Sequence, residues 1–330
     1  MVGGEKEARM RFRNPIRQMF RSIPHVMIAS FVLVAATAHS APPSEQRDSE
    51  MVLHVSWSAP DEVHVPLRMA DGLPEIRGAI NGGDVQMLLD TGSQAVVIDP
   101  GTARRCGVQS ISSTLPLLGT KGVEQAHAGV LESMSVGSWI WRQFPCLIRT
   151  QGSRVDGILF GAKHPNLLGI EPLAKMCSFA TFDPSRKEVI FGFRKPYRAG
   201  SGEASVPLEF RSGLPYVKIS ISGTECTVLV DTGASAELEL DRDIAHKLGL
   251  TTHPRSFKAL RAGVGSGKSA NQTNEEAMIS QLVVAGQSFA GATADIVADE
   301  SKLGYGLLGR LRFTIDFERS RLWIRSENGF

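Results

Sequence analysis

The chain has 330 residues with 42% hydrophobic side chains, enough to build two domains with a core each. Its formal net charge is only +2, and the basic excess gathers near the N-terminus at Arg9, Arg11, Arg13, Arg17 and Arg21. That balance excludes an extended nucleic-acid-binding face, and no nucleic-acid partner is expected.

Those arginines lead into an apolar run over residues 26–36, too short to span a bilayer comfortably. Ala36-Thr37-Ala38 follows with small residues at the spacing a signal peptidase reads. The pattern predicts a cleaved export signal over residues 1–38, membrane contact only in transit, and a periplasmic or secreted product. With no Cys at the cleavage region, a lipid anchor is not expected. Residues 39–61 are expected to form a flexible N-terminal segment.

From about Val52 onward the pattern is one of short strands separated by Gly and Asn turns. Asn81-Gly82-Gly83 predicts a hairpin turn between strands at 76–80 and 85–89. The second strand runs into Leu88-Leu89-Asp90-Thr91-Gly92-Ser93, an apolar strand that ends on a carboxylate. Asp99 is placed to cap a short helix with Pro100 in its first turn, and Gly107 stops it. Gly119-Thr120-Lys121-Gly122 then predicts the tip of a flap hairpin, with Gly119 and Gly122 facing a bound chain. Trp139 and Trp141 share one face at strand spacing and are expected to pack in the core. Two apolar segments ending in Gly follow, at 158–161 (ending in Gly161) and at Leu167-Leu168-Gly169.

Residues 194–204 are polar and rich in turn formers, which predicts a linker between an N-terminal lobe at 62–193 and a C-terminal lobe at 205–330. Beyond it the pattern repeats. Val65-Pro66-Leu67, Gly72-Leu73-Pro74, Ile80, Gly82 and Leu88 recur as Val206-Pro207-Leu208, Gly213-Leu214-Pro215, Ile221, Gly223 and Leu229. The offset stays at 141 residues as far as Leu229-Val230-Asp231-Thr232-Gly233-Ala234. A register held this long marks an internal duplication. Asp241 caps the second helix and Gly249 ends it, while Gly263 and Gly265 predict the second flap. Leu307-Leu308-Gly309 is the apolar–apolar–Gly candidate of this half. Each half closes on a predicted hairpin, with turns at 183–187 and 316–320.

A carboxylate at the end of a buried strand is costly unless something pairs with it, and the second copy supplies a natural partner. Two carboxyls in contact do not both ionise readily, so they share a proton and become one acid and one base. Other chemistries find less support. Residues 262–269 fit a relaxed phosphate-binding loop, but the strand before and the helix after are missing, so no nucleotide is expected. The histidines and cysteines lack metal-ligand spacing, no Gly-x-Ser-x-Gly elbow is present, and neither metal nor cofactor is expected. Cys106, Cys146, Cys177 and Cys226 allow three complete pairings, and a buried free thiol is equally open for Cys226.

On the duplicated Asp-Thr-Gly and the apolar–apolar–Gly segments, the chain resembles the aspartic peptidases of the pepsin-like and retropepsin-like group over roughly residues 62–325. The resemblance implies a mainly β fold of two similar lobes with a cleft between them; pairing of lobes between chains is the alternative that the in-register duplication makes unnecessary, so a monomer is expected. It implies an aspartic endopeptidase acting on a peptide or protein, with Asp90 and Asp231 activating water. It implies that Thr91 and Thr232 bond across the lobes and that Gly92 and Gly233 let amides approach the carboxylates, with Ser93 and Ala234 completing the loops. Ala234 lacks the hydroxyl of Ser93, which is expected to bring activity nearer to neutral pH. Neither flap carries the Tyr usual in the pepsin-like group. A peptide- or glycan-binding protein on the same scaffold, without catalysis, is the alternative reading.

Overall fold

A computed structural model describes residues 6–9, 54–119, 122–150, 166–254 and 275–325. In the first half the strands are β1 (Lys6–Arg9), β2 (His54–Ser58), β3 (Glu62–Ala70), β4 (Leu73–Ile80), β5 (Gly83–Asp90) and β6 (Val96–Ile98). Helix α1 (Pro100–Arg105) follows, then β7 (Ser110–Gly119), β8 (Gly122–Val136), β9 (Trp139–Arg149), β10 (Leu167–Gly169) and α2 (Ile170–Met176). Hairpin β11 (Phe179–Asp183) and β12 (Glu188–Gly192) closes the half.

The second half repeats the plan. It holds β13 (Ala204–Arg211), β14 (Leu214–Ile221), β15 (Thr224–Asp231), β16 (Leu238–Asp241) and α3 (Arg242–Lys247). Then come β17 (Thr252–Pro254), β18 (Glu275–Ile279), β19 (Leu282–Val284), β20 (Gln287–Phe289), β21 (Ala292–Val297), β22 (Lys302–Gly304) and α4 (Tyr305–Leu308). Hairpin β23 (Arg312–Asp316) and β24 (Arg321–Arg325) ends it.

The protein is mainly β, folded as two similar barrel-like lobes. In the first, β4 pairs with β5, β5 with β10, β10 with β6, β6 with β9, β9 with β8, and β8 back with β4. The second pairs β14 with β15, β15 with β22, β22 with β16, β16 with β21 and β21 with β18, and β19, next after β18 in the chain, pairs back with β14. Between them lies one antiparallel sheet in the order β3-β12-β11-β23-β24-β13. Its centre is a pseudo-twofold axis, marked by the Thr181 and Thr314 hydroxyls at 2.8 Å and by the stacked rings of Phe182 and Phe313 at 4.5 Å.

Local chemistry explains the repeated parts. Asn81 and Gly82 have φ of 47° and 79°, and Ser222 and Gly223 have 49° and 86°, the left-handed pairs that two-residue hairpins need. Asp99 accepts from the amides of Gly101 and Thr102, and Asp241 from those of Asp243 and Ile244, so both predicted caps form. Trp139 and Trp141 are fully buried with ring centroids 4.1 Å apart, and they serve the core.

Two expectations change, at residues 54–58 and at the second apolar–apolar–Gly, and the structure adds detail at the linker and the cysteines. Residues 54–58 lie within the segment expected to be flexible, yet they form β2, which pairs with β9 and with β1. The expected linker is clamped: Tyr197 is buried, its hydroxyl donates to Glu203, and its carbonyl accepts from Arg319 at 2.9 Å. All four cysteines are free thiols, three of them buried. The apolar–apolar–Gly of the second half also lies elsewhere than expected. Lys302–Gly304 runs parallel to Leu229–Asp231 as Leu167–Gly169 runs parallel to Leu88–Asp90, so Gly304 is the counterpart of Gly169. Leu307 and Leu308 belong to α4, and Gly309 is its C-cap. Gly161, the Gly263 and Gly265 flap and the phosphate-loop-like segment 262–269 fall outside the described residues.

Candidate active site

Strands β10 and β22 each insert between the two strands that flank an Asp-Thr-Gly loop. β10 lies parallel to β5 and antiparallel to β6, and β22 stands likewise between β15 and β16. This insertion fixes the end of β5 at Asp90 and the end of β15 at Asp231. Asn166 and Ser301 lock the arrangement from equivalent positions. Their carbonyls accept from the amides of Leu88 and Leu229, while their side chains accept from the amides of Asp99 and Asp241.

The two loops grip each other. The amide of Thr91 donates to Thr232 Oγ1 at 3.0 Å, and the amide of Thr232 donates to Thr91 Oγ1 at 3.0 Å. Each hydroxyl then donates onward, Thr91 to the Val230 carbonyl at 2.6 Å and Thr232 to the Leu89 carbonyl at 2.7 Å. Both threonines are buried, so these four bonds satisfy groups that water does not reach. The bond pattern implied by the resemblance for Thr91 and Thr232 is therefore present.

The glycines set the spacing of the carboxylates. A Cβ on Gly92 would sit 2.5 Å from Asp231 Oδ1, and one on Gly233 would sit 2.5 Å from Asp90 Oδ1, so each loop fits closely against the other loop's aspartate. The amide of Gly92 donates to Asp90 Oδ1 at 3.0 Å, and that of Gly233 donates to Asp231 Oδ1 at 2.8 Å. Asp231 lies near enough to act on the Asp90 carboxyl through its charge and through side-chain hydrogen bonding. Burial, and next the charge of Asp231, push the Asp90 carboxyl up to about 8, against the pull of Lys302 and the Gly92 amide.

The paired aspartates differ in their surroundings. Asp231 is 4% exposed and Asp90 only half-buried, so Asp90 forms the more open side of the pair. Lys302 Nζ stands 2.9 Å from Asp231 Oδ2, and Lys302 is itself 6% exposed. Burial works against the ammonium, but the charges of Asp231, Glu239 and Asp90 outweigh it and raise its pKa above the ordinary lysine value. Sequence reasoning missed Lys302 because it searched for an apolar pair before the glycine. Aligning Ser301-Lys302-Leu303-Gly304-Tyr305 with Asn166-Leu167-Leu168-Gly169-Ile170 would have found it.

Of the other expected site residues, Ser93 takes a different part. Its hydroxyl donates to the Ala95 carbonyl at 3.4 Å and makes no bond to Asp90 among the described contacts. Ser93 and Ala234 act through their backbones. Their amides bond the Asp90 and Asp231 carbonyls, and their carbonyls accept from Ile170 at 2.8 Å and from Tyr305 at 2.7 Å. Gly119 and Gly122 pair with each other at the end of the β7–β8 hairpin.

Two barrels that meet at a doubled Asp-Thr-Gly loop, each braced by an inserted strand, define the class of two-lobed aspartic peptidases. An aspartyl protease family model matches residues 76–163 and again residues 217–310, more than half of the chain, and the chain belongs to that family. Its two matches coincide with the two halves of the duplication. No curated protein matches the chain. Membership supports a peptidase, a hydrolase of peptide bonds, as the general role.

Proposed function

We propose that the protein is an exported aspartic endopeptidase in which Asp90 and Asp231 together activate the attacking water. The observation that carries this reading is the placement of the two carboxyls, each held by the Gly amide of its own loop and hemmed in by the Gly of the other. One aspartate is ionised and takes a proton from water, whose oxygen bonds to the peptide carbonyl carbon. The other gives its proton to the carbonyl oxygen, producing a tetrahedral diol. The C–N bond then breaks, its electron pair staying on nitrogen, which takes the first proton back from the protonated base. A diol hydroxyl returns a proton to the second aspartate, leaving a carboxylic acid, an amine and the starting dyad. Each proton that leaves is replaced, so the cycle uses no group beyond these two carboxyls and water.

The β7–β8 hairpin, tipped by Gly119 and Gly122, is the element we assign to covering a bound peptide. Export rests on the basic N-terminus, the short apolar run and Ala36-Thr37-Ala38. The test is cleavage of an unfolded protein and a peptide library by leader-free protein from acidic to slightly alkaline pH. A statine-type inhibitor, whose hydroxyl stands in for the attacking water, should compete with substrate. Failure of both would leave peptide binding without catalysis as the reading to pursue.

A further inference from the structure

The two lobes differ at one pair of positions directly behind the aspartates. In the first lobe Leu167 on β10 faces Val97 on β6, an apolar pair. In the second lobe the corresponding register brings Lys302 on β22 opposite Glu239 on β16. Directly opposed residues project to the same face, and so do residues two apart on one strand, which sets Lys302, Glu239, Leu229 and Asp231 on one side of the sheet. A duplicated core position that is apolar in one copy and charged in the other marks a demand that the two copies do not share.

Resting on the peptidase reading above, we infer that Lys302, balanced by Glu239, assigns the two roles within the dyad. Asp231 holds the negative charge and draws the proton from water, and Asp90 holds the shared proton and delivers it to the carbonyl oxygen. Lys302 is a positioning residue, since it acts through its contact with Asp231. The arrangement suits the exposures: the buried carboxylate has a buried counter-ion, and the more open carboxyl carries the proton. After the first proton transfer the negative charge lies on Asp90, which also attracts Lys302, so it stays within the ammonium's field throughout the cycle.

Other charged groups around Lys302 are accounted for. Asp295 on β21 stands opposite Glu239, and both are buried. Tyr216 on β14 also feels Lys302; its hydroxyl donates to Glu300 at 2.5 Å, and the Arg211 guanidinium lies 4.9 Å from its ring centre. Burial and the neighbouring Glu300 keep Tyr216 neutral through the range in which peptidases work.

The first lobe supplies the test variant. Lys302→Leu with Glu239→Val rebuilds the Leu167–Val97 pair, removing both new charges together and leaving Asp231 without its counter-ion. Its dyad is followed by carboxyl carbon NMR titration of labelled aspartates, beside the pH profile of peptide cleavage. Both dyad titration steps should move to higher pH, the acidic one by about one to three pH units, and the acidic limb of cleavage should follow. Glu239→Gln leaves Lys302 wholly to Asp231 and should move the acidic step the other way, to lower pH, which keeps the proposal testable if the double variant does not fold. A folded double variant that titrates as the wild type does, or a Glu239→Gln variant with no downward shift, overturns the assignment. If the wild type cleaves nothing, the peptidase reading falls, and the carboxyl titration still decides where Lys302 places the charge.

Discussion

The Thr91 and Thr232 hydroxyls each accept from the other loop's amide and donate to a carbonyl one residue before the other loop's aspartate, so a single exchange of four bonds holds both carboxyls. Thr232→Val keeps the shape of the side chain and removes the hydroxyl. It leaves the Thr91 amide and the Leu89 carbonyl buried without partners, at a cost of about 1–3 kcal/mol each. Thermal unfolding of Thr232→Val should show a drop in Tm of several degrees, and Thr232→Ser should lie near the wild type. Thr91→Val should match Thr232→Val, because the grip is symmetric.

Gly92 and Gly233 should tolerate no side chain. A methyl group at either position would press on the opposite carboxylate at 2.5 Å and drive the pair apart. Displacement of a reacting group by about 1 Å costs on the order of a hundredfold in rate. Gly92→Ala and Gly233→Ala should therefore lower kcat at least that far, with a smaller change in KM. A cleavage assay reading both constants checks this, and an unchanged kcat would contradict the packing.

The raised Asp90 carboxyl has a consequence for stability. Its ordinary value is 3.8 and its folded value about 8, so between these limits the folded chain holds a proton that the unfolded chain has released. The unfolded state binds fewer protons there, and stability falls as pH rises across that window, by about 1.4 kcal/mol per pH unit for one fully titrating group. Activity should fall as pH passes about 8, when the pair loses its remaining acid. Denaturant unfolding at a series of pH values should show this slope in the wild type and a flatter one in Asp90→Asn.

Removal of the leader is checked by the N-terminus of exported protein. The expected mature chain begins just after Ala38. Strand β2 would then keep its pairing with β9 and lose only β1.

The parts legible in the sequence are those that local chemistry writes. Asn81-Gly82, Asp99 and Asp241 each act within a few residues, and each forms as expected. The duplicated register named both Asp-Thr-Gly loops because it needs no knowledge of what lies opposite. Lys302 was illegible for the opposite reason. A lysine in a three-residue strand reads as exposed, and only the parallel pairing with Leu229–Asp231 turns it inward. Leu307-Leu308-Gly309 drew attention five residues too late because helix α4 also buries Leu307 and Leu308.

The central claim is that the paired carboxyls carry out hydrolysis, and Asp90→Asn tests it most directly. The substitution is nearly isosteric and leaves the Lys302–Asp231 ion pair in place, so the fold should hold. Cleavage of an unfolded protein by leader-free wild type, Asp90→Asn, Asp231→Asn and the double variant is measured across acidic to slightly alkaline pH. The account predicts cleavage by the wild type, none by either single variant, and a double variant hardly worse than the singles, because the two groups act as a unit. An Asp90→Asn variant that folds and cleaves at the wild-type rate would contradict it.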